Sequence, residues 1–237
     1  DALLCSATLK RVNMQGVLDL TQSQLAGTDL TGTKLPPDMA VFPAAKQAED
    51  ISRQAQTVFL SLLTACAFAG LTMEMTTDAA LLGEGSTTSL PLVNMTIPHA
   101  FFFVVMPLIL VCLYMYFHFY LQSLWGALGT LPAVFPDGGA LDHRSYPWLM
   151  LFTVRSRIHH LKKQWTFFYC LEHIVGDLVA WGLVPLILLF FFLRCLRLHF
   201  VLLSIFHAAV FLAATAFALY SHELTARTLA GCAVRPR

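Results

Sequence analysis

Three histidines fall where apolar sequence meets polar sequence. His118 lies in the aromatic run Tyr114–Tyr120, His173 stands just ahead of an apolar stretch, and His222 follows another. Glu172, Asp177 and Glu223 lie beside them. Imidazoles with nearby carboxylates are a donor set for a metal, a haem iron or a quinone headgroup. Ionisable residues in or beside a membrane span are functional candidates by default. The plainer role is interfacial: an imidazole keeps its ring in the apolar layer while its nitrogens reach water and headgroups. The aromatic run around His118 has the composition of such an interfacial belt. His99 and His199 fall at the opposite ends of their stretches, and His207 lies deeper with no partner at its own depth. The six cysteines include no C-x-x-C pair and no zinc-ligand spacing, so they are expected as free thiols. The sequence also lacks G-x-x-x-x-G-K-[ST], H-E-x-x-H and G-x-S-x-G. The expectation is a protein that is not an enzyme. No cofactor is assigned; haem, a metal or a quinone on His118, His173 and His222 is the alternative.

The elements that must position these groups are membrane helices. The chain is 57% hydrophobic and 12% charged, against about 25% charged in an ordinary soluble domain. Apolar stretches cover about 57–75, 99–125, 178–193 and 200–220. Crossing a hydrocarbon core about 30 Å thick takes roughly 20 residues. The third stretch is short and reaches that length when Arg194 snorkels. Pro107 and Pro185 lie inside spans, where prolines are tolerated and kink the helix. Lys and Arg set the orientation: five occur in 1–56, none in 76–98, five in 126–176, and three in the C-terminal tail. Thirteen therefore lie on one side, and only Arg194 and Arg197 on the other. The positive-inside rule puts both ends and the 126–176 loop in the cytoplasm. Arg155, Arg157, Lys162 and Lys163 within 149–170 read as an amphipathic helix on anionic inner-leaflet lipid. The net charge of +1 and the shortness of that basic run leave no nucleic-acid partner. Span four repeats alanine at spacing four, Ala209 to Ala213 and Ala214 to Ala218, which lets helix backbones approach. Those alanines face another subunit, a second copy, or the chain's own helices. No span carries a continuous polar stripe, which weakens a third reading, a small oligomeric channel.

The N-terminal region has another rhythm. Leu20, Leu25, Leu30 and Leu35 recur every five residues, with Leu18, Ser23, Thr28 and Thr33 two positions before them. Ala7-Thr8-Leu9 and Val12-Asn13-Met14 follow the same rule, with one residue inserted before Leu18. Period five fits neither helix nor strand and points to a solenoid. Leu25-Ala-Gly-Thr-Asp-Leu-Thr-Gly-Thr-Lys-Leu35 resembles the pentapeptide-repeat family. That resemblance implies a right-handed, four-sided β-helix with the leucines and the small residues two before them pointing inward. At four repeats per coil the chain holds about one and a half coils. It looks like the end of a longer solenoid, and the start at Asp1 without methionine carries the same expectation. After span two, Pro136-Asp137-Gly138 is a turn signal.

Several segments together resemble bacterial membrane proteins that join pentapeptide repeats to a multi-span module. They are Thr77-Asp-Ala-Ala-Leu-Leu82, Leu90-Pro-Leu92, Leu113-Tyr-Met-Tyr-Phe-His-Phe-Tyr-Leu-Gln122, Leu131-Pro-Ala-Val-Phe-Pro-Asp-Gly138, Tyr146-Pro-Trp148 and Ala180-Trp-Gly-Leu-Val-Pro185. The resemblance covers roughly 20–195 and implies a fold and a topology, with no activity attached. The expected fold is mostly α: a four-helix transmembrane bundle preceded by the terminal part of a pentapeptide β-helix. Its parts are the β-helix end at 1–37, a linker and lead-in helix at 38–56, and the membrane domain at 57–237. The expected function is a scaffold or accessory subunit, partnered by the lipid bilayer and by other membrane subunits or itself.

Overall fold

The computed structural model describes residues 4–17, 20–39, 41–76, 87–89, 96–150, 153–155, 167–197 and 201–229. Helix dominates. α1 spans Pro43–Met75, α2 His99–Gly129, α3 Leu141–Arg144, α4 Phe167–Asp177, α5 Leu183–Arg197 and α6 Val201–Leu229. A π-helical turn, Leu178–Gly182, joins α4 to α5. Short 3₁₀ turns cover Gln22–Leu25 and Pro37–Met39. β1 (Thr87–Ser89) and β2 (Thr96–Pro98) pair antiparallel, with Thr88 opposite Ile97.

Four helices are long and apolar enough to cross a membrane: those containing Pro43–Met75, Phe101–Gly129, Cys170–Arg197 and Val201–Leu229. Each outruns its apolar stretch. α1 opens on Pro43, whose missing N–H costs nothing in the first turn. Its polar first half is helical as well, helped by the Glu49–Arg53 pair at 2.7 Å. The third helical run starts at Phe167, so Glu172, His173 and Asp177 lie on it rather than before it. Burial follows a 3–4 spacing. On α1 the buried positions are Ala48, Ser52, Ala55, Phe59, Leu62, Cys66, Ala69, Thr72 and Met73. On α6 they are His207, Ala214, Ala218, Ser221, Thr225 and Leu229. That seam is the one that nearly parallel helices pack along. Hydroxyls on the helices donate to carbonyls one turn back, as in Ser61 to Thr57, Thr64 to Leu60, Thr72 to Phe68 and Thr215 to Phe211. Lipid offers no partner, so this internal bonding lets polar residues sit on apolar helices.

The described chain forms two compact units. One comprises 57–118 and 178–221. Its core is aromatic: Phe59 meets Phe117 at 5.4 Å, and Phe191 contacts Phe102 and Phe103 at 5.8 and 5.7 Å. Arg194 donates to the Thr76 carbonyl just beyond the C-terminus of α1, where a cation complements the helix dipole.

The other unit comprises 1–56, 119–177 and 222–237, within the described residues. No strand forms among its described residues up to 39, so the expected β-helix is not present as regular strands. The reason is local. A turn recurs about every five residues, leaving room for one bridge at a time. Ser6, Arg11, Gly27 and Gly32 all have φ between 55° and 69°. Thr8 bridges Asp29 and Asn13 bridges Lys34, both parallel. Leu25, Leu30, Thr28 and Thr33 are buried, whereas Leu20 and Leu35 are half-buried and Ser23 is exposed within the 3₁₀ turn Gln22–Leu25. Residues after span two join the same stack. Gly27, Leu30 and Gly32 donate to the carbonyls of Leu131, Val134 and Pro136 at 2.9, 3.0 and 2.8 Å. Gly138, at φ 83°, donates back to Phe135 at 2.9 Å, closing the turn at Pro136-Asp137-Gly138.

Candidate functional site

α4 and α6 bring two of the three histidines onto one carboxylate. His173 and Asp177 lie one turn apart on α4, with Nε2 3.6 Å from Oδ2. His222 of α6 brings its Nε2 to 3.9 Å from the same oxygen. All three side chains are partly exposed. Beside them, Arg155 Nε donates to Asp142 at 3.0 Å, and its guanidinium lies 3.9 Å from Glu172. Arg155 is thus paired with two carboxylates. Arg157, Lys162 and Lys163 lie outside the described residues. Glu223 pairs with Arg227 one turn on.

His118 is elsewhere. It belongs to the unit of 57–118 and 178–221 and is almost completely buried. Its Nδ1 donates to the Tyr114 carbonyl at 3.0 Å, which fixes Nε2 as an acceptor. Nε2 is buried with no hydrogen-bond partner among the described residues. Tyr114, Phe117, Phe217 and Trp181 surround the ring at centroid distances of 4.3, 5.2, 5.5 and 6.0 Å. His118 is therefore a core histidine in an aromatic box, not an interfacial one. Period and composition placed it in a belt; the phase of α2 turns it inward.

The deeper His207 has company that sequence reading missed. Its Nδ1 donates to Leu203 at 2.7 Å, its ring stacks on Phe191 at 5.9 Å, and Cys195 Sγ lies 4.0 Å from Nε2. The signal was the phase of span three, where Phe191 and Cys195 are one turn apart. Cys5, Cys66, Cys112, Cys170 and Cys195 are free thiols. Among the described residues, no group of three or more His, Cys, Asp or Glu is arranged to hold a metal ion.

The alanines of α6 divide. Ala214 and Ala218 are buried within the chain, while Ala209 and Ala213 are exposed on the outward face with Leu212, Leu219 and Tyr220. The most apolar stretch of α6 is less buried than those of the other three apolar helices. An open apolar groove on α1 and α2, lined by Leu60, Ala65, Phe68, Met106 and Ile109, also faces outward.

In the stacked N-terminal turns, Asp29 accepts from the Thr31 hydroxyl at 2.5 Å and amide at 3.1 Å, and pairs with Lys10 at 3.2 Å. Burial alone would raise its pKa, but these donors outweigh it and hold the carboxyl below the ordinary aspartate value. Asp137 pairs with Arg144, whose guanidinium lies 4.4 Å from the centre of the Phe135 ring. Phe42 packs edge-on to Phe135 at 5.2 Å. The turn at Pro136-Asp137-Gly138 is thereby a fastening point of the stack. The comparisons with known proteins add no relative: no family model, no curated protein and no solved structure matches the chain.

Proposed function

We propose that the protein is a non-enzymatic membrane scaffold or accessory subunit of a larger membrane protein complex. It resides in the bacterial inner membrane with both termini and the 126–176 loop in the cytoplasm. The basic-residue asymmetry, thirteen against two, supports that orientation. Residues 1–37 are the end of a right-handed pentapeptide β-helix offering a cytoplasmic docking surface. Supporting this, both parallel bridges join residues 21 positions apart, Thr8 to Asp29 and Asn13 to Lys34. The positive-φ residues keep the same offset, Ser6 to Gly27 and Arg11 to Gly32. Four repeats of five plus the one inserted residue account for it. The outward positions Lys10, Arg11, Asn13, Gln15 and Lys34 are exposed and polar, as a docking face requires.

The observation that carries the assembly reading is the exposed small-residue face of α6 at Ala209 and Ala213. Small residues on a lipid-facing helix let another helix approach closely. Replacing both with leucine is expected to disrupt association while leaving the fold intact, because neither packs in the core. Unchanged association on gentle solubilisation would contradict the contact.

A second reading, a haem- or quinone-binding membrane protein, has one observation in its favour: His173 and His222 converge on Asp177. Purified protein without visible absorbance or extractable quinone would remove it.

A further inference from the structure

A thiol and an imidazole meet inside the apolar core of the unit formed by 57–118 and 178–221. Cys195 lies in the last turn of α5, and His207 in the second turn of α6. Both are buried, at 0% and 1% exposure, and Sγ lies 4.0 Å from Nε2. The Phe103 carbonyl also lies beside the ring. A neutral imidazole has one hydrogen to give, and the 2.7 Å bond to the Leu203 carbonyl places it on Nδ1. The Nε2 lone pair is thereby left for the sulfur. A ring nitrogen tied to a backbone carbonyl, with the other nitrogen turned to a second donor atom, is how metal-binding histidines are held. Phe191 stacks on the imidazole at 5.9 Å, and Phe103 and Phe206 meet it edge-on at 6.4 and 5.2 Å. Among the described residues, no third His, Cys, Asp or Glu joins the pair.

We propose that Cys195 and His207 form a two-coordinate site for Cu(I). The chemistry of the pair selects the ion. Zinc asks for four donors, and two are present. On one thiolate it would also leave a net positive charge in apolar surroundings, beside Arg194 and Arg197 of the same turn. Cu(I) prefers soft thiolate, is satisfied by two donors, and its single charge cancels that of the sulfur. The ion takes the place of the thiol hydrogen. The S–H bond breaks, S–Cu and N–Cu bonds form, the proton leaves to water, and no electron is transferred. Both residues lie near the ends of their helices, so ion and proton have a short way to travel. The three phenylalanines keep water from the ion and favour its reduced state.

The test loads the full chain in lipid nanodiscs with Cu(I) under ascorbate and dialyses it against bicinchoninate, a Cu(I) chelator. The unaltered chain is expected to retain one copper. Cys66→Ala and Cys112→Ser, which change other thiols of the spans, are expected to retain it, and Cys195→Ser and His207→Phe to lose it. X-ray absorption of the loaded chain is expected to show copper bound by one sulfur and one nitrogen. No retained copper would overturn the proposal, as would retention in folded Cys195→Ser. Retention in folded His207→Phe would overturn it too, since a lone thiol would then suffice. A shell of sulfur alone would do the same, and that measurement needs no variant to fold. Zinc offered in place of Cu(I) is expected to be lost on dialysis; zinc held by the unaltered chain and lost in Cys195→Ser would contradict the choice of ion.

Discussion

Asp29 is a carboxylate whose ionised form the fold actively holds. Its pKa is depressed in the folded chain, because the Thr31 donors and Lys10 outweigh the cost of burial. The stability it contributes is therefore complete above the unfolded aspartate value and is lost as pH falls through its own lower one. Asp29→Asn is expected to lower the unfolding midpoint at neutral pH, with the difference closing in acid; thermal unfolding of the solubilised protein against pH reads this. A constant difference across that range would mean the side chain acts through shape and not charge. The histidines show where single residues are legible. Their place along the chain follows from the apolar runs, and His173 and His222 do share a partner. Which way a ring points depends on helix phase, and His118 faces an aromatic box because one turn separates it from Tyr114. Composition carries no phase, so the cage, and the Cys195–His207 contact beside Phe191, came only with the structure.

Two glycines at the C-terminal end of α2 separate packing from propensity. A Cβ at Gly129 would stand 3.0 Å from the Thr228 carbonyl oxygen on α6, a backbone atom that cannot easily give way. Gly129→Ala is expected to cost about 1–3 kcal/mol, the usual range for overpacking. Gly126 has open space, and Gly126→Ala is expected to gain roughly 0.5–1 kcal/mol from helix propensity. Opposite shifts in the unfolding midpoint would verify the close approach of α2 and α6 at that level. The stacked turns make a matching case. Gly32 has φ 69°, and its Cβ would lie 3.2 Å from Arg11. Gly32→Ala is expected to cost about 1–2 kcal/mol from the left-handed backbone alone; no loss would mean the turn is not held in that conformation. The four apolar helices were readable from hydropathy because lipid imposes a long, strict pattern. Their ends were not, because Glu172, His173 and Asp177 interrupt the pattern while pairing satisfies them on a helix that continues. The leucine rhythm marked the turns of the N-terminal region. The third layer of its stack, Leu131 to Pro136, was hidden because it arrives from 104 residues away and carries no repeat of its own.

The proposed topology places thirteen of the fifteen Lys and Arg on the cytoplasmic side, and that asymmetry makes a prediction about Cys5. It is a free, half-buried thiol among the stacked turns. An impermeant maleimide is expected to leave it unlabelled in intact cells and to label it after permeabilisation; labelling in intact cells would reverse the orientation. The outward faces extend the same logic to assembly. Exposed Ala209 and Ala213, the open groove on α1 and α2, and the exposed polar positions of the stacked turns are the surfaces that the proposed scaffold would offer to partners. The most direct measurement is the native mass of the particle released gently from its own membrane. The account predicts a mass exceeding one chain by whole protein subunits, which dissociate in the Ala209→Leu, Ala213→Leu variant. A mass of a single chain carrying only lipid or a small prosthetic group would contradict it.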